Sequence, residues 1–121
     1  MRSTSASASS TTSGFVAVLV IDLHFPDAGS LKSKRKELSS IKAQLHSRLG
    51  AAVSEVAHQD LWQRATLTAA VTAGSAAGLT EVVDTVERWL HGRCPECVSV
   101  QRLLVSVEDL RDVLSISGAR R

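Results

Sequence analysis

Phe15-Val16-Ala17-Val18-Leu19-Val20-Ile21-Asp22-Leu23-His24-Phe25, followed by Pro26, Asp27 and Gly29, is the stretch on which the fold turns. Its apolar residues alternate with the period of a strand. Phe15, Ala17, Leu19, Ile21, Leu23 and Phe25 fall on one face, and Val16, Val18, Val20, Asp22 and His24 on the other. Pro26, Asp27 and Gly29 break the strand. Ser30 is then a good N-cap, because its hydroxyl can accept from a free N–H of the first turn. Leu31, Leu38, Ile41, Leu45 and Leu49 make a helical stripe that Gly50 is placed to end.

Downstream the pattern repeats with a difference. Ala51 to Gln59 reads as a second strand, Asp60-Leu61-Trp62-Gln63 as a loop, and Ala65 to Ala73 as a third strand. Gly74 and Ser75 open a second helix striped by Leu79, Val82, Val83, Val86, Trp89 and Leu90, which ends at His91-Gly92-Arg93. Cys97 to Val105 is a fourth strand. Ser106-Val107-Glu108-Asp109 caps a short helix through Leu114, and the end of the chain to Arg121 is expected to fray. The order strand, helix, strand, strand, helix, strand predicts an α+β, ferredoxin-like βαββαβ sandwich. Its sheet is four-stranded and antiparallel in the order 4-1-3-2, with both helices on one face. Residues 15–107 form this single domain, 108–121 a short, partly helical C-terminal extension, and 1–14 a disordered Ser/Thr-rich leader.

That topology sends the chemistry-bearing stretches to one end of the sheet. His24 closes the first strand there, and the first helix begins there. His58, Gln59, Asp60, Trp62 and Arg64 join strands two and three there. His91, Arg93, Cys94 and Cys97 lead into strand four there.

The first helix opens with Ser30-Leu31-Lys32-Ser33-Lys34-Arg35-Lys36. Cations at a helix N-terminus oppose the dipole, at a cost of roughly 0.3–1 kcal/mol each at low salt. The segment predicts an anion site in which Lys32, Lys34, Arg35 and Lys36, with Arg64, contact phosphate. At 100° per residue Lys34 lies in the sector of the apolar stripe, so it must reach past the sheet's end toward the His24 and His58 loops. Lys32 and Lys36 point outward. A solvated basic face is the bland alternative.

Composition narrows the function. A chain of 121 residues with 44% hydrophobic and 21% charged residues is an ordinary single globular domain. The net charge of +2 implies no general polyanion-coating surface. Cations nonetheless concentrate between Leu31 and Leu49, and acids (Glu81, Asp84, Glu87) between Leu79 and Leu90. There is no run of 18 apolar residues and no apolar block of a secretory signal. Two cysteines make no disulfide framework, so a reducing cytoplasm is expected.

Val18-Leu19-Val20-Ile21-Asp22-Leu23-His24 with Pro26, then Ser30-Leu31-Lys32-Ser33-Lys34-Arg35, then His58-Gln59-Asp60-Leu61-Trp62-Gln63-Arg64-Ala65 together resemble the YlxP family. This is a family of small bacterial proteins of unknown function. The resemblance spans Phe15 to Arg102 and implies the same ferredoxin-like fold. Its members are often encoded beside translation initiation and ribosome-maturation factors, which implies a ribosomal or RNA-linked role. The Cys94-Pro95-Glu96-Cys97 segment and the tail after Arg102 are not features of that resemblance.

Other motifs weigh less. No glycine-rich phosphate loop is present, and the third strand lacks the aromatics of an RNA-recognition motif. With aromatics at 3%, RNA would be held mainly by its backbone. His24 and His58 with Asp22 and Asp60 form a potential metal or acid–base set, or two histidines hydrogen-bonded to their surroundings. No nucleophile is paired with a base, so no enzyme is expected, and no cofactor. Trp62 is read first as a plug for its loop and second as an exposed partner anchor. Cys94 and Cys97, with His91 as third ligand, are a minor zinc or thiol-switch alternative to a Pro-containing turn. The open face, with Val16, Val18, Val20 and Val56 beside Thr66, Thr68 and Thr72, points to a homodimer. The leading expectation is a non-enzymatic, cytoplasmic, ribosome- or RNA-associated protein. Its alternative is a homo-oligomer binding a small anion.

Overall fold

Alternation along Phe15–His24 becomes β1, which occupies an interior position of a four-stranded antiparallel sheet. The computed structural model describes residues 14–117, and the leader expected over 1–14 lies outside them apart from Gly14. Around β1 the chain runs α1 (Leu31–Leu49), β2 (Ala52–Ala57), β3 (Arg64–Ala73), α2 (Ala76–Arg93), β4 (Val98–Ser106) and α3 (Val107–Ser117). The sheet order β2-β3-β1-β4 is the predicted 4-1-3-2 read from the other edge. The fold is α+β and ferredoxin-like.

The first helix forms where its caps dictate. Ser30 Oγ accepts from Ser33 N at 3.1 Å, and Gly50, at φ 70°, closes the other end with its N–H on His46 O. A left-handed φ there suits a residue without Cβ. Ser75 repeats the capping device for α2 through Gly78 N, at 3.0 Å.

Register fixes the two faces. Ala17 pairs with Val71, Leu19 with Ala69, Ile21 with Leu67 and Leu23 with Ala65, and all eight are buried. Leu38, Ile41 and Leu45 of α1 and Leu79, Val83, Val86 and Leu90 of α2 complete the same cluster, so both helices cover this face. The opposite face carries Val16, Val18 and Val20 against Thr72, Ala70 and Thr68 on one side and Val105, Leu103 and Gln101 on the other. Val56 and Leu103 are about half exposed. Among the described residues no helix is long and apolar enough to cross a membrane.

Two boundaries differ from the expectation by more than one residue. β2 stops at Ala57 instead of Gln59, because its register slips between Glu55 and Ala57 and His58 turns to φ 64°. A bulge followed by a left-handed residue takes the chain out of the ladder. The terminal helix runs to Ser117 and follows β4 without a linker; Ser106 Oγ accepts from Asp109 N, as its capping sequence predicts. On the helix-covered side of the edge strand β4, Arg102 donates to Glu87 (2.8 Å) and Asp84 (3.0 Å) of α2. The bonds to Glu87, then Asp84, raise its pKa above the ordinary arginine value.

Candidate functional site

Lys34 is the largest of the side chains that the core buries completely, at 1% exposure. Its ammonium donates to His58 O and Leu61 O, both at 2.6 Å, and meets Glu55 Oε2 at 3.3 Å. An ammonium has three N–H groups, and it finds three acceptors here. Burial of a charge costs several kcal/mol unless it is paired and hydrogen-bonded, and this one is both. The helical sector of Lys34 foretold its direction, toward the His58 loop. The expected phosphate contact is corrected: a lysine inside the apolar stripe ends in protein, and its donors are spent there.

That ammonium organises the loop. His58 O accepts from Leu61 N (3.1 Å) as well as from Lys34, and Gln63 O accepts from Phe25 N (2.8 Å). Gln63 Nε2 reaches Pro26 O at 3.4 Å. The β2–β3 loop is thus strapped to α1 from below and to the β1–α1 connection at its side. Lys34 occupies the place beneath the loop that Trp62 was expected to plug. Trp62 instead stands 48% exposed, beside Leu61 at 47%.

The remaining cations face water. Lys32 and Lys36 lie on the side of α1 opposite its buried stripe and Arg35 on its flank, all three within about 100° of one another and exposed. The first turn holds no acid. Among the described residues no carboxylate lies within ion-pairing distance of Lys32, Arg35, Lys36 or Arg64. Arg64 is exposed and opposite His24 in the β1–β3 ladder.

Two clefts meet at His24. One, of about 400 Å³, lies between the β1–α1 connection, α1 and the end of α2; His24, Asp27, Glu37, Arg93, Cys94 and Cys97 line it. Arg93 is committed to Glu37 Oε2 (3.1 Å) and Ser40 Oγ (3.2 Å), with its guanidinium 5.6 Å from the Trp89 ring centroid. The other cleft gathers Asp22, His24, Arg64 and Glu96. The metal or acid–base set, the alternative to two hydrogen-bonded histidines, is not assembled. Asp22 accepts from Thr66 Oγ1 at 2.7 Å, His58 serves through its carbonyl, and Gln59 and Asp60 are exposed on the loop. Among the described residues no three potential ligands stand close enough to share an ion.

The cysteines also depart from expectation. Cys94 and Cys97 are joined in a disulfide, their Cα atoms 5.3 Å apart. The turn closed by Cys97 N on Cys94 O (3.1 Å) brings them to a separation that a disulfide spans. His91 lines a different cleft, with Asp84, Glu87, Arg88 and Arg102, so it makes no third ligand with them.

The signals that sequence reasoning missed are Glu55 and Glu37. Glu55 sits opposite Leu67 on the covered face of the sheet, where an acid requires a cation. Lys34, in an apolar stripe, is its complementary misfit.

Residues 16–102 match the family described as Protein of unknown function (DUF503). The chain is 39% identical over 49 residues to the uncharacterized protein YlxP of Bacillus subtilis (strain 168), covering 40% of this chain and 53% of that protein. It thus spans about half the length of that curated relative. Among solved structures, the de novo designed protein Foldit4 superposes with a TM-score of 0.48 at 10% identity, covering 76% of this chain and 96% of the design. The match from Val16 to Arg102 takes in most of the sheet, both covering helices and the Lys34-fastened loop, and the chain belongs to the YlxP (DUF503) family.

Proposed function

We propose that this protein is a non-enzymatic, ribosome- or RNA-associated factor that holds phosphate backbone on the outer face of α1. The observation that carries the reading is the exposed trio Lys32, Arg35 and Lys36, unpaired with any described carboxylate on an acid-free helix start. Arg64, at the same end of the sheet, is opposite His24 on the open face and stands apart from this trio. The 400 Å³ cleft suits a small anion less well, because Asp27 and Glu37 line it and Glu37 already neutralises Arg93.

The test is binding to ribosomal subunits and to a structured RNA across a salt series. Each phosphate contact contributes a log–log slope of roughly −0.7 to −0.9. Three contacts therefore predict an affinity loss on the order of 20- to 40-fold for a fourfold rise in salt. K32A/R35A/K36A is expected to flatten the slope by roughly 2–3. Undiminished binding and slope in that variant would remove the site, and no binding by the wild type would remove the function.

A second reading concerns the open face. Strands of six to ten residues, at ~3.3 Å per residue and ~4.8 Å apart, present roughly 550 Å². With Val16, Val18, Val20 and Leu103 on it, this approaches the ~800 Å² per partner of a standard interface. A homodimer through this face is expected to show twice the monomer mass by light scattering, and V18D/L103D to return it to a monomer. A wild-type monomer at all concentrations rules this out.

A further inference from the structure

We propose that Trp62 is a stacking platform for an unpaired nucleobase, held in position by the buried ammonium of Lys34. This rests on the phosphate-backbone reading above and names the kind of RNA that the site takes. Trp62 is about half exposed, yet the loop that carries it is far from loose. Its backbone is gripped at His58 O and Leu61 O by Lys34, and at Gln63 O by Phe25 N. A platform that is already fixed avoids most of the ordering cost that a flexible loop pays on binding.

The surroundings favour a base over a protein. Leu61 is the one other exposed apolar side chain on a loop whose remaining tip residues, Gln59, Asp60 and Gln63, are polar and exposed. Two such residues are far short of a standard protein interface, which takes about 800 Å² from each side. One indole face is enough for one base, because every base offers a π-surface. The phosphates flanking that base have receivers nearby. Arg64 is two residues further along the chain, and Lys32, Arg35 and Lys36 stand at the same end of the fold, on the side of α1 turned away from the loop, where a stem running on from the base would meet them. Continuous duplex offers phosphates but no free base face, so the preferred ligand is RNA with an unpaired nucleotide beside a helical stem.

Two RNAs test this: a hairpin with an unpaired uridine loop, and the same stem continued as blunt duplex. In a Trp89→Phe background Trp62 is the remaining indole, and its emission is expected to fall on adding the hairpin but not the duplex. Trp62→Ala is expected to weaken hairpin binding by roughly 5- to 150-fold while duplex affinity and salt slope stay unchanged. Trp62→Phe is expected to retain most of the affinity. Equal hairpin affinity in wild type and Trp62→Ala, with the helix cations still required, overturns the stacking role and leaves the phosphate reading standing. No binding of either RNA by the wild type overturns both. Loss of ribosome co-sedimentation in Trp62→Ala, with affinity for both naked RNAs intact, assigns Trp62 to a protein surface and overturns the proposal.

Discussion

Lys34→Met is expected to lower the unfolding free energy by about 3 kcal/mol, a large part of the 5–15 kcal/mol typical of a domain this size. Three losses combine. Glu55 is left as an unpaired, four-fifths-buried carboxylate. His58 O loses one of its two donors, and Leu61 O loses its ammonium partner. Breaking one side of a buried pair typically costs 3–5 kcal/mol. The lower end applies because Glu55 keeps 20% of its surface and can still reach water. Methionine conserves most of the stem's packing, so the loss reports the ammonium. Lys34→Met/Glu55→Gln is expected to recover part of it, since the stranded charge is then gone. Urea melts of the wild type, Lys34→Met, Glu55→Gln and the double variant close the cycle. A single-variant loss below about 1 kcal/mol would mean that the buried ammonium contributes little beyond an exposed pair.

The second large effect tests which face of the sheet the helices cover. Leu19 is wholly buried in the core cluster that both helices join, and Leu19→Ala is expected to cost about 3–5 kcal/mol through lost transfer energy and an unfilled cavity. Val18, its neighbour on the open face, is expected to cost under about 1 kcal/mol as Val18→Ala. Urea melts compare them directly, and equal losses would contradict the assignment of faces.

The fold was legible because its signals are local. Alternation along Phe15–Phe25, the capping serines Ser30 and Ser75, and the left-handed stop at Gly50 each act within a few residues. Short-range physics of that kind reads off a sequence. The end of β2 was not legible. The bulge after Glu55 and the left turn at His58 suit a loop held by a lysine 24 positions away, and no local pattern encodes that partner. The disulfide was missed for a related reason. Cys94-Pro95-Glu96-Cys97 reads as a turn, and it is one; that this turn brings the two sulfurs to bonding geometry depends on its backbone conformation.

The candidate site divides along the same line. Lys32, Arg35 and Lys36 were visible as cations where the dipole favours anions, and helical periodicity alone turns Lys32 and Lys36 outward. Periodicity also placed Lys34 among leucines, but could not say whether its charge would reach solvent or find acceptors inside. By itself the sequence determined the strands, the helices, their order and the end of the sheet at which the polar residues meet, since each follows from patterns a few residues long. Only the tertiary structure decided that Lys34 belongs to the scaffold and that Trp62 belongs to the surface. A buried ammonium is stable only where distant carbonyls and a carboxylate converge on it, and that convergence exists only once β2, its loop and α1 have packed together.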